Sequence, residues 1–215
     1  LFLAALMTLL IFSCDKEKEN NESPKSTSCL SDYITTPCDM MSKEVFAELA
    51  ETNVTNLEVE EPEAISIDEV TDYSMILCTF RWPSDRISIV TIEVGDSEVE
   101  SEVPLKNVVS IGDIKVIEDE DLLTLSGKKE TYAEFFHRVR IGDDNPNSER
   151  LEDLGDLASL HIIEAASHSN FRIADVSVLH KNVYFNVEVD ISDSDEEDVA
   201  FARKVATEIL ELCEE

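Results

Sequence analysis

The 215-residue sequence predicts an α+β fold in which an antiparallel sheet packs against helices. Val183 to Ile191 alternates apolar and polar side chains, as expected of a strand with one buried and one solvated face. Tyr73 to Trp82 and Ile87 to Val94 are predicted to be the two strands of a hairpin. After Ser194 the apolar residues recur at helical spacing, which predicts an amphipathic closing helix.

The first residues are expected to direct export. Leu1 to Phe12 is apolar apart from Thr8, and as a helix it would span only about 20 Å, against about 30 Å of hydrocarbon in a bilayer. This length is typical of the apolar region of an export signal rather than of a permanent membrane span. Because neither Met nor a basic segment precedes the run, we expect the complete protein to contain further residues before Leu1.

The end of this segment resembles a bacterial lipobox. The aliphatic Ile11 stands three positions before Cys14, the small Ser13 stands immediately before it, and Phe12 occupies the tolerant middle position. The resemblance implies cleavage before Cys14 and diacylglycerol on its sulfur, and two or more acyl chains anchor a protein stably to a bilayer. The alternatives are an ordinary export signal or an apolar start with no role in targeting.

The predicted organisation has three parts. Residues 1–13 are the signal peptide, residues 14–28 are the lipidated cysteine and a flexible tether, and residues 29–215 are a single α/β domain. The tether, Asp15 to Ser28, is polar and lacks aromatic side chains, a composition typical of flexible chains. Its charge is similar to that of surface-export signals in some Gram-negative lipoproteins. The expected location is therefore the bacterial outer membrane, facing either the periplasm or the cell surface.

The charge balance limits the classes of partner. The sequence has 48 acidic and 17 basic residues, for a formal net charge of −31. Nucleic acids and anionic lipid headgroups carry the same sign and are repelled, so no nucleic-acid partner is expected. The charge is explained either by solubility at a crowded or salty cell exterior or by carboxylates that collect divalent cations.

The five cysteines are expected to divide into one lipidated residue and four that pair. With Cys14 acylated, Cys29, Cys38, Cys78 and Cys213 remain, and four cysteines in an oxidising compartment allow three pairings. In one of them, Cys38 with Cys78 would close a loop of about 40 residues and contribute roughly 4 kcal/mol on the chain-entropy model. Cys29 with Cys213 would then join the tether to the last helix.

The first half of the domain is predicted to contain a helix and the hairpin. The helix begins after Ser42, whose hydroxyl is suited to an N-cap, and Met41 and Phe46 are placed to form a hydrophobic staple. Pro83-Ser84-Asp85 supplies turn residues between the hairpin strands. Alternation along the first strand places Cys78 on the core side, within reach of a covering helix.

The middle of the chain carries weaker signals. Glu58 to Asp72 is acidic with short β-type fragments, Gly95 to Glu102 is expected to be a solvated loop, and Val108 to Ile117 is a candidate strand pair. A helix is then predicted from Lys128 to Arg140, ended by Gly142 and followed by a loop over residues 143–149. The expected apolar face of this helix consists of Tyr132, Phe135, Phe136 and Val139.

The last part is predicted to contain three strands and the closing helix. Leu157 to Ile163 and Ala174 to Leu179 are candidate strands, and His180-Lys181-Asn182 turns the chain into the alternating strand. Glu197 stands three residues after Ser194, so these two are predicted to form a capping box. The apolar stripe of the helix consists of Val199, Ala202, Val205, Ala206, Ile209, Leu210 and Cys213.

The order of these features resembles the small secreted bacterial lipoproteins of unknown function that are built on a PsbP-like α/β sandwich. The matching motifs are Pro37-Cys38, Cys78-Thr79-Phe80-Arg81-Trp82, Leu154-Gly155-Asp156-x-Ala158, the late hairpin and the closing helix. The resemblance covers roughly Pro37 to Cys213. It implies a disulfide between Cys38 and Cys78, and it supplies no catalytic residues because the family has none established.

No catalytic or metal-binding motif is present in the sequence. It lacks a Gly-x-Ser-x-Gly elbow, a phosphate-binding glycine loop and His-Glu-x-x-His. The four histidines show no metal-ligand spacing; they are His137, His161, His168 and His180. We therefore predict no catalytic residues, no metal site and no cofactor.

Two acidic stretches are the basis of an alternative, calcium binding. They are Asp143-Asp144-Asn145-x-Asn147-x-Glu149 and Asp190-x-x-Asp193-x-Asp195-x-Glu197-Asp198. Closely spaced oxygen ligands suit calcium, but neither stretch has the glycine that bends an EF-hand loop. The second stretch is equally explained by the helix dipole, which favours acidic residues in a first turn.

One basic concentration stands out in this acidic chain. It is expected either to be a solvated helix face or to receive an acidic partner. It consists of Lys128, Lys129, Arg138 and Arg140.

The functional hypotheses follow from an anchor without a catalytic motif. The first is a non-enzymatic, lipid-anchored envelope protein whose domain binds or scaffolds another envelope component, with the bilayer held through Cys14. The alternatives are a calcium- or small-molecule-binding module and an envelope hydrolase with an unrecognised site.

Overall fold

A computed structural model describes residues 28–60, 65–68, 73–94, 97–124, 126–142, 148–164 and 172–213. It confirms the α+β class, with a seven-stranded antiparallel sheet and three helices among the described residues. The strands are β1 (Glu58–Glu60), β2 (Ile65–Asp68), β3 (Tyr73–Met75), β4 (Leu77–Val94), β5 (Ser97–Val116), β6 (Ser148–Leu151), β7 (Leu157–Glu164), β8 (Arg172–His180) and β9 (Val183–Asp190). The helices are α1 (Lys43–Leu49), α2 (Tyr132–Phe136) and α3 (Asp195–Glu211), with 3-10 turns at Cys29–Tyr33, Pro37–Met40 and Val54–Asn56.

The large sheet has the strand order β1-β4-β5-β9-β8-β7-β6, while β2 and β3 pair separately. One face carries the main core, where α1 and α3 pack against the central strands. Phe46 of α1 stacks on Phe80 with ring centroids 4.0 Å apart, and Trp82 and Phe201 meet the Phe46 ring at its edges. The core side predicted for Cys78, Phe80 and Trp82 is confirmed, since all three are buried.

Two cysteine pairs lie at disulfide distance, in the combination considered from the sequence. The Cα atoms of Cys38 and Cys78 are 5.0 Å apart, and those of Cys29 and Cys213 are 5.5 Å apart. The first pair joins the turn before α1 to the sheet. The second joins the beginning of the domain to the end of α3.

The first helix begins as predicted. The hydroxyl of Ser42 accepts a hydrogen bond from the backbone N–H of Val45 at 3.2 Å, and Met41 and Phe46 are both buried. The cap satisfies a backbone donor that a helix N-terminus would otherwise leave without a partner.

The predicted hairpin is wrong in its pairing. Pro83-Ser84-Asp85 is a bulge inside one long strand, because Pro83 lies opposite Lys106 and Ile87 lies opposite Pro104. Pairing then continues to Val94 opposite Ser97. Between these two pairs β4 advances by four residues and β5 by two, so β4 contains two extra residues. Such a bulge bends the strand without ending it, and a proline is tolerated there.

The partner strand accounts for two further corrections. Gly95 to Glu102 is not a solvated loop over its described residues, since β5 begins at Ser97. Val108 to Ile117 does not contain a strand pair, because it is the second half of the same strand, which ends at Val116. Local composition could not indicate this, since the partners lie up to 35 residues apart, as in Leu77 opposite Gly112.

The helix predicted from Lys128 to Arg140 begins later than expected. Thr131 and Glu134 form a capping box, in which the Glu134 carboxylate accepts from the Thr131 backbone N–H at 2.8 Å. A π-helical turn, His137–Ile141, follows α2, and the segment ends at Gly142 as predicted. The wider turn rotates Val139 off the buried face, so Val139 is 46% exposed.

The capping box predicted at Ser194 is also wrong. Ser194 occupies the N-cap position of α3, but its side chain makes no capping hydrogen bond. The Asp198 carboxylate instead accepts hydrogen bonds from the backbone N–H groups of Ile191 and Ser192, at 3.1 and 2.9 Å. The carboxylate is thereby committed to the connection between β9 and α3.

The three late strands agree with the prediction, but the solvated face of the last one does not. In β9 the side chains of Tyr184, Asn186 and Asp190 are buried, as are those on the core side. The sheet is therefore covered on both faces at this strand. Part of the second cover is α2, whose Phe136 packs 6.3 Å from the Tyr184 ring in a small second cluster.

Among the described residues, no helix is long and apolar enough to cross a membrane. The predicted signal peptide, Cys14 and almost all of the tether lie outside the described residues.

Candidate functional site

The most unusual surface of the domain is the side of the sheet opposite α3, which we call the polar face. A continuous row of polar residues crosses it, because neighbouring strands place these residues in register. Directly paired residues on one face have Cβ atoms about 5 Å apart. In strand order from β4 to β6, the row is Thr79, Ser110, Glu188, Asp175, His161 and Ser148.

The hydroxyl groups of this face are largely hydrogen-bonded to one another. The Thr79 and Ser110 hydroxyl oxygens are 3.0 Å apart. In the next row, the Ser177 hydroxyl donates to the Asn186 side-chain oxygen at 3.0 Å, and both residues are buried. These hydrogen bonds fix the positions of the hydroxyl groups on the polar face. They do not involve the carboxyl groups of the row.

A group of charged side chains, which we call the charged corner, lies beside this row of polar residues. Asp113 stands in a bulge of β5, where its φ is 47° and the register shifts between Gly112 and Lys115. Its carboxylate pairs with Arg140 at 2.6 Å and with Lys115 at 3.2 Å. The Arg140 guanidinium also lies 4.8 Å above the Tyr184 ring. The corner is therefore a closed set of opposite charges, with burial raising the pKa of Tyr184 and lowering that of Lys115.

Among the described residues, no Lys or Arg side chain forms an ion pair with either of the two carboxyl groups in the middle of the row. Asp175 lies opposite Glu188 in the adjacent strand, and the Asp175 Oδ1 atom is buried without a hydrogen-bond partner. Burial raises the pKa of Glu188 to about 7, with repulsion from Asp175 adding to the effect. Burial likewise raises the pKa of Asp175, while Arg140 and His161 oppose the shift. A half-buried carboxyl pair that the nearby positive charges compensate only in part is costly, which makes it a candidate for binding.

Space for a ligand is present beside Glu188. An open pocket of about 170 Å³ adjoins Glu188 and is lined also by Ser110, Val108, Ile173 and Asp190. A larger open pocket of about 670 Å³ lies beyond the short β6, with Ser148, His161 and Arg172 among its lining residues. The row of polar side chains thus has open space next to Glu188 and at its β6 end.

The row contains a serine, a histidine and an aspartate, which are the residue types of a catalytic nucleophile, base and acid. In this row, however, hydrogen bonds do not link the three side chains. Ser148, His161 and Asp175 are neighbours in three adjacent strands. However, the Ser148 hydroxyl donates to the backbone oxygen of Arg140 at 3.2 Å, and Asp175 Oδ1 has no partner. Nucleophilic catalysis requires the hydroxyl to bond to the base and the base to be oriented by a third group. The described arrangement does not provide that chain.

The acidic stretches proposed for calcium are not assembled into a site among the described residues. In the second stretch, Asp190 pairs with Arg86 at 2.5 Å, Asp195 pairs with Arg172 at 2.6 Å, and Asp198 holds two backbone N–H groups. In the first stretch only Glu149 is described, in β6. Within the described ranges, no group of three His, Cys, Asp or Glu side chains is placed to hold a metal ion.

The basic concentration separates in the structure. Arg138 turns to the surface and pairs with Glu130 at 3.0 Å, and Lys129 lies 3.4 Å from Asp119. Arg140 turns inward to Asp113, so this residue belongs to the charged corner and not to a solvated helix face. The expectation of a solvated helix face is therefore wrong for Arg140, whereas Arg138 is exposed as expected.

The polar face is not apparent from the sequence. Glu188 is predicted on the solvated side of its strand, Asp175 is predicted only to lie in a strand, and nothing in either strand marks their pairing. One local signal was available: Asp175 and Ser177 interrupt an otherwise apolar run in β8. Polar residues indicate a buried polar layer when the strand that carries them is covered by protein on both faces. The sequence does not show that the second face of this strand is covered.

The raised pKa of Glu188 predicts a pH dependence of stability. Its carboxyl ionises near pH 4.5 in the unfolded chain and near pH 7 in the folded one, so the folded state binds more protons between these values. Stability should therefore fall as the pH rises through this window. Glu188→Gln should be more stable than the parent by about 1–3 kcal/mol at pH 8 and equally stable below pH 4.5.

Urea denaturation of both proteins from pH 4 to pH 8 tests this prediction. Glu152→Gln serves as the control, because Glu152 is 76% exposed in its side chain and should change stability little at any pH. A Glu188→Gln difference that does not vary with pH would contradict the expected titration.

Comparisons with known proteins identify no relative: no protein-family model, curated protein or solved structure matches this chain.

Proposed function

We propose that this chain is a non-enzymatic binding domain of a bacterial envelope, anchored to the outer membrane through acylated Cys14. Its domain would be a PsbP-like α/β sandwich, in which the polar face of the sheet receives an organic cation such as a primary ammonium or guanidinium group. The lipobox-like segment supports the anchor. Two cysteine pairs at disulfide distance support an oxidising compartment.

The observation that carries the proposal is the half-buried carboxyl pair, Asp175 and Glu188, whose pKa values are both raised. Asp113 is already paired with two cations, whereas Asp175 Oδ1 is buried without a hydrogen bond. A ligand cation would favour ionisation of both carboxyls, offset their repulsion and occupy the pocket beside Glu188. The hydroxyl of Ser110 lines the same pocket and is available to orient a second polar group of the ligand.

The non-enzymatic part of the proposal rests on the same row. The hydroxyl of Ser148 donates to a backbone oxygen and not to His161, so the hydroxyl that neighbours the histidine of the row lacks a base. A cation held between two carboxylates requires no such chain. Binding is therefore the simpler use of this face.

Isothermal titration with 1,4-diaminobutane, using 1,4-butanediol as the uncharged control, tests the binding. The diamine should bind more tightly as the pH rises through about 7, because Glu188 must be ionised to receive it. Glu188→Gln and Asp175→Asn should each weaken binding tenfold or more, since a charge-assisted hydrogen bond is worth about 1.5–3 kcal/mol. Glu152→Gln should leave it unchanged.

Two results would reject the proposal in its present form. Equal heats from the diamine and the diol would exclude recognition of charge, and a calcium heat abolished by Glu188→Gln would favour the metal-binding alternative. The anchor is tested separately by mass spectrometry of the mature protein, where an unmodified Cys14 would remove it.

A further inference from the structure

A second candidate surface lies outside the polar face, on the long hairpin. We call Ile87–Val94 and Ser97–Pro104 the hairpin arm. Among the described residues these two segments pair only with each other: β1 pairs with β4 at Thr79–Arg81, and β9 pairs with β5 at Val108–Val116. The arm thus extends past the strands that flank it, and no strand of the described residues pairs with either of its edges.

The arm exposes large apolar side chains that contribute nothing to the described core. Ile87 and Ile89 are 59% and 60% exposed, and Val99 and Val103 are 49% and 41% exposed. An isolated two-stranded ribbon is at best marginally stable in water. Exposed apolar residues on a ribbon with open edges are typical of a surface that is completed by another chain.

The charge of the arm is one-sided. Residues 87–104 contain no basic residue and five acidic ones, namely Glu93, Asp96, Glu98, Glu100 and Glu102. The register places Ile89 opposite Glu102, and Thr91 opposite Glu100, so the isoleucines share one face with these carboxylates. The same alternation along β5 places that face on the side of Ser110, so it continues the polar face outward.

This charge decides which partner fits. A second copy of a chain with net charge −31 would bring its own acidic arm against this one, and anionic lipid headgroups would be repelled in the same way. A basic partner would be attracted. An extended segment that alternates apolar and Lys or Arg side chains matches both components of the face, and its backbone can pair with an open edge.

We propose that the hairpin arm docks an extended, basic and apolar segment of a partner protein, through the face formed by Ile87, Ile89, Glu100 and Glu102. The carboxylates attract the segment and orient it, and the isoleucines bury its apolar side chains. The base of the arm is fixed by Arg86, whose guanidinium contacts Asp190 and the backbone oxygen of Ser192. The arm is therefore held at a defined position on the domain.

The test measures binding of a fluorescent ten-residue peptide of alternating Lys and Val to the full chain in a non-ionic detergent. A Ser-Val peptide of equal length is the uncharged probe. We expect the Lys-Val peptide to bind at least tenfold more tightly, and the difference to shrink as salt screens the charges. Glu100→Lys with Glu102→Lys should weaken Lys-Val binding at least tenfold, as should Ile87→Thr with Ile89→Thr.

Matched variants separate the arm from the rest of the surface. Glu118→Lys with Glu120→Lys changes the net charge equally at two exposed loop residues beyond the far end of β5, and should alter binding less than threefold. Leu123→Thr removes an apolar side chain that is 55% exposed elsewhere and should have no effect. Glu188→Gln should also leave peptide binding unchanged, so failure of the cation site and failure of the arm are distinguishable.

Four results would overturn the proposal. The Glu118/Glu120 variant could weaken binding as much as the arm variant, or the Ser-Val peptide could bind equally well. Sedimentation could show that the parent protein is a dimer and that the double variant Ile87→Thr, Ile89→Thr is a monomer. This result would identify a second copy of the chain as the partner of the hairpin arm. Zwitterionic vesicles could protect Glu100 and Glu102 from a glutamate-specific protease, which would identify a lipid surface. Unchanged thermal melting of each variant's domain is required in every comparison.

Discussion

Replacing Cys29 and Cys213 together by serine is expected to lower the free energy of unfolding by about 3–5 kcal/mol. The pair is separated by 184 residues in sequence, and the chain-entropy model assigns about 5 kcal/mol to a closed loop of that length. Loss of the bond would also release the segment after Ser28, where Leu30 is fully buried, from the end of α3.

Denaturation in guanidinium chloride, with and without a reducing agent, measures this effect. The reducing agent should destabilise the parent protein strongly. The double variant should respond less, because only the bond between Cys38 and Cys78 remains to be reduced. A double variant as stable as the parent would show that the cysteines at the two ends of the domain do not pair in solution.

Replacing Arg86 by alanine is expected to cost about 3–5 kcal/mol, because it leaves a buried carboxylate uncompensated. Arg86 and Asp190 are only 12% and 9% exposed in their side chains, and their atoms are 2.5 Å apart. The same guanidinium donates to the backbone oxygens of Ser192 and Asp190, at 3.0 and 2.9 Å. Its loss would therefore loosen the bulge of β4 and the end of β9 together.

Two further variants make the measurement specific to this buried pair. Arg150→Ala removes an exposed pair, with 56% and 76% exposed side chains, and should cost less than about 1 kcal/mol. Arg86→Met combined with Asp190→Leu should recover a large part of the stability, because neither charge is then left alone. Equal losses for Arg86→Ala and Arg150→Ala would contradict the burial of the pair.

These results would bear on the two proposed surfaces in different ways. The Arg86–Asp190 pair stands where the polar face meets the hairpin arm, since Asp190 lines the pocket beside Glu188. Loss of this ion pair should weaken peptide binding because the residues at the base of the hairpin arm become disordered. The charge of the arm itself does not change. Loss of the Cys29–Cys213 bond should affect both surfaces only through global stability.

The sequence was sufficient where the signal is local. Alternation over Val183 to Ile191 predicted a strand that the structure contains, and the hydroxyl of Ser42 predicted the start of α1. The spacing of apolar residues after Ser194 predicted α3 and its buried stripe. In each case neighbouring residues determine the backbone conformation, because the periods of 2 and 3.6 residues are properties of the element itself.

The sequence was insufficient where two distant segments meet. The turn residues at Pro83 to Asp85 are compatible with a hairpin turn or with a bulge, and only pairing with β5 decides between them. The same holds for Asp175 and Glu188, each of which is an ordinary outward residue of its own strand. Their separation of one strand spacing, and the burial that raises the pKa of both carboxyl groups, exist only in the assembled sheet.

The amino-acid sequence by itself therefore determined the fold class and the identity of most strands and helices, whereas it left three cysteine pairings open. Tertiary structure alone decided the long hairpin, the cover on the second face of β9 and the polar row. The physical reason is that alternation reports which side chains share a face, but not what that face is packed against. Solvent and a second layer of protein produce the same pattern in a single strand, although they have opposite consequences for a carboxyl group.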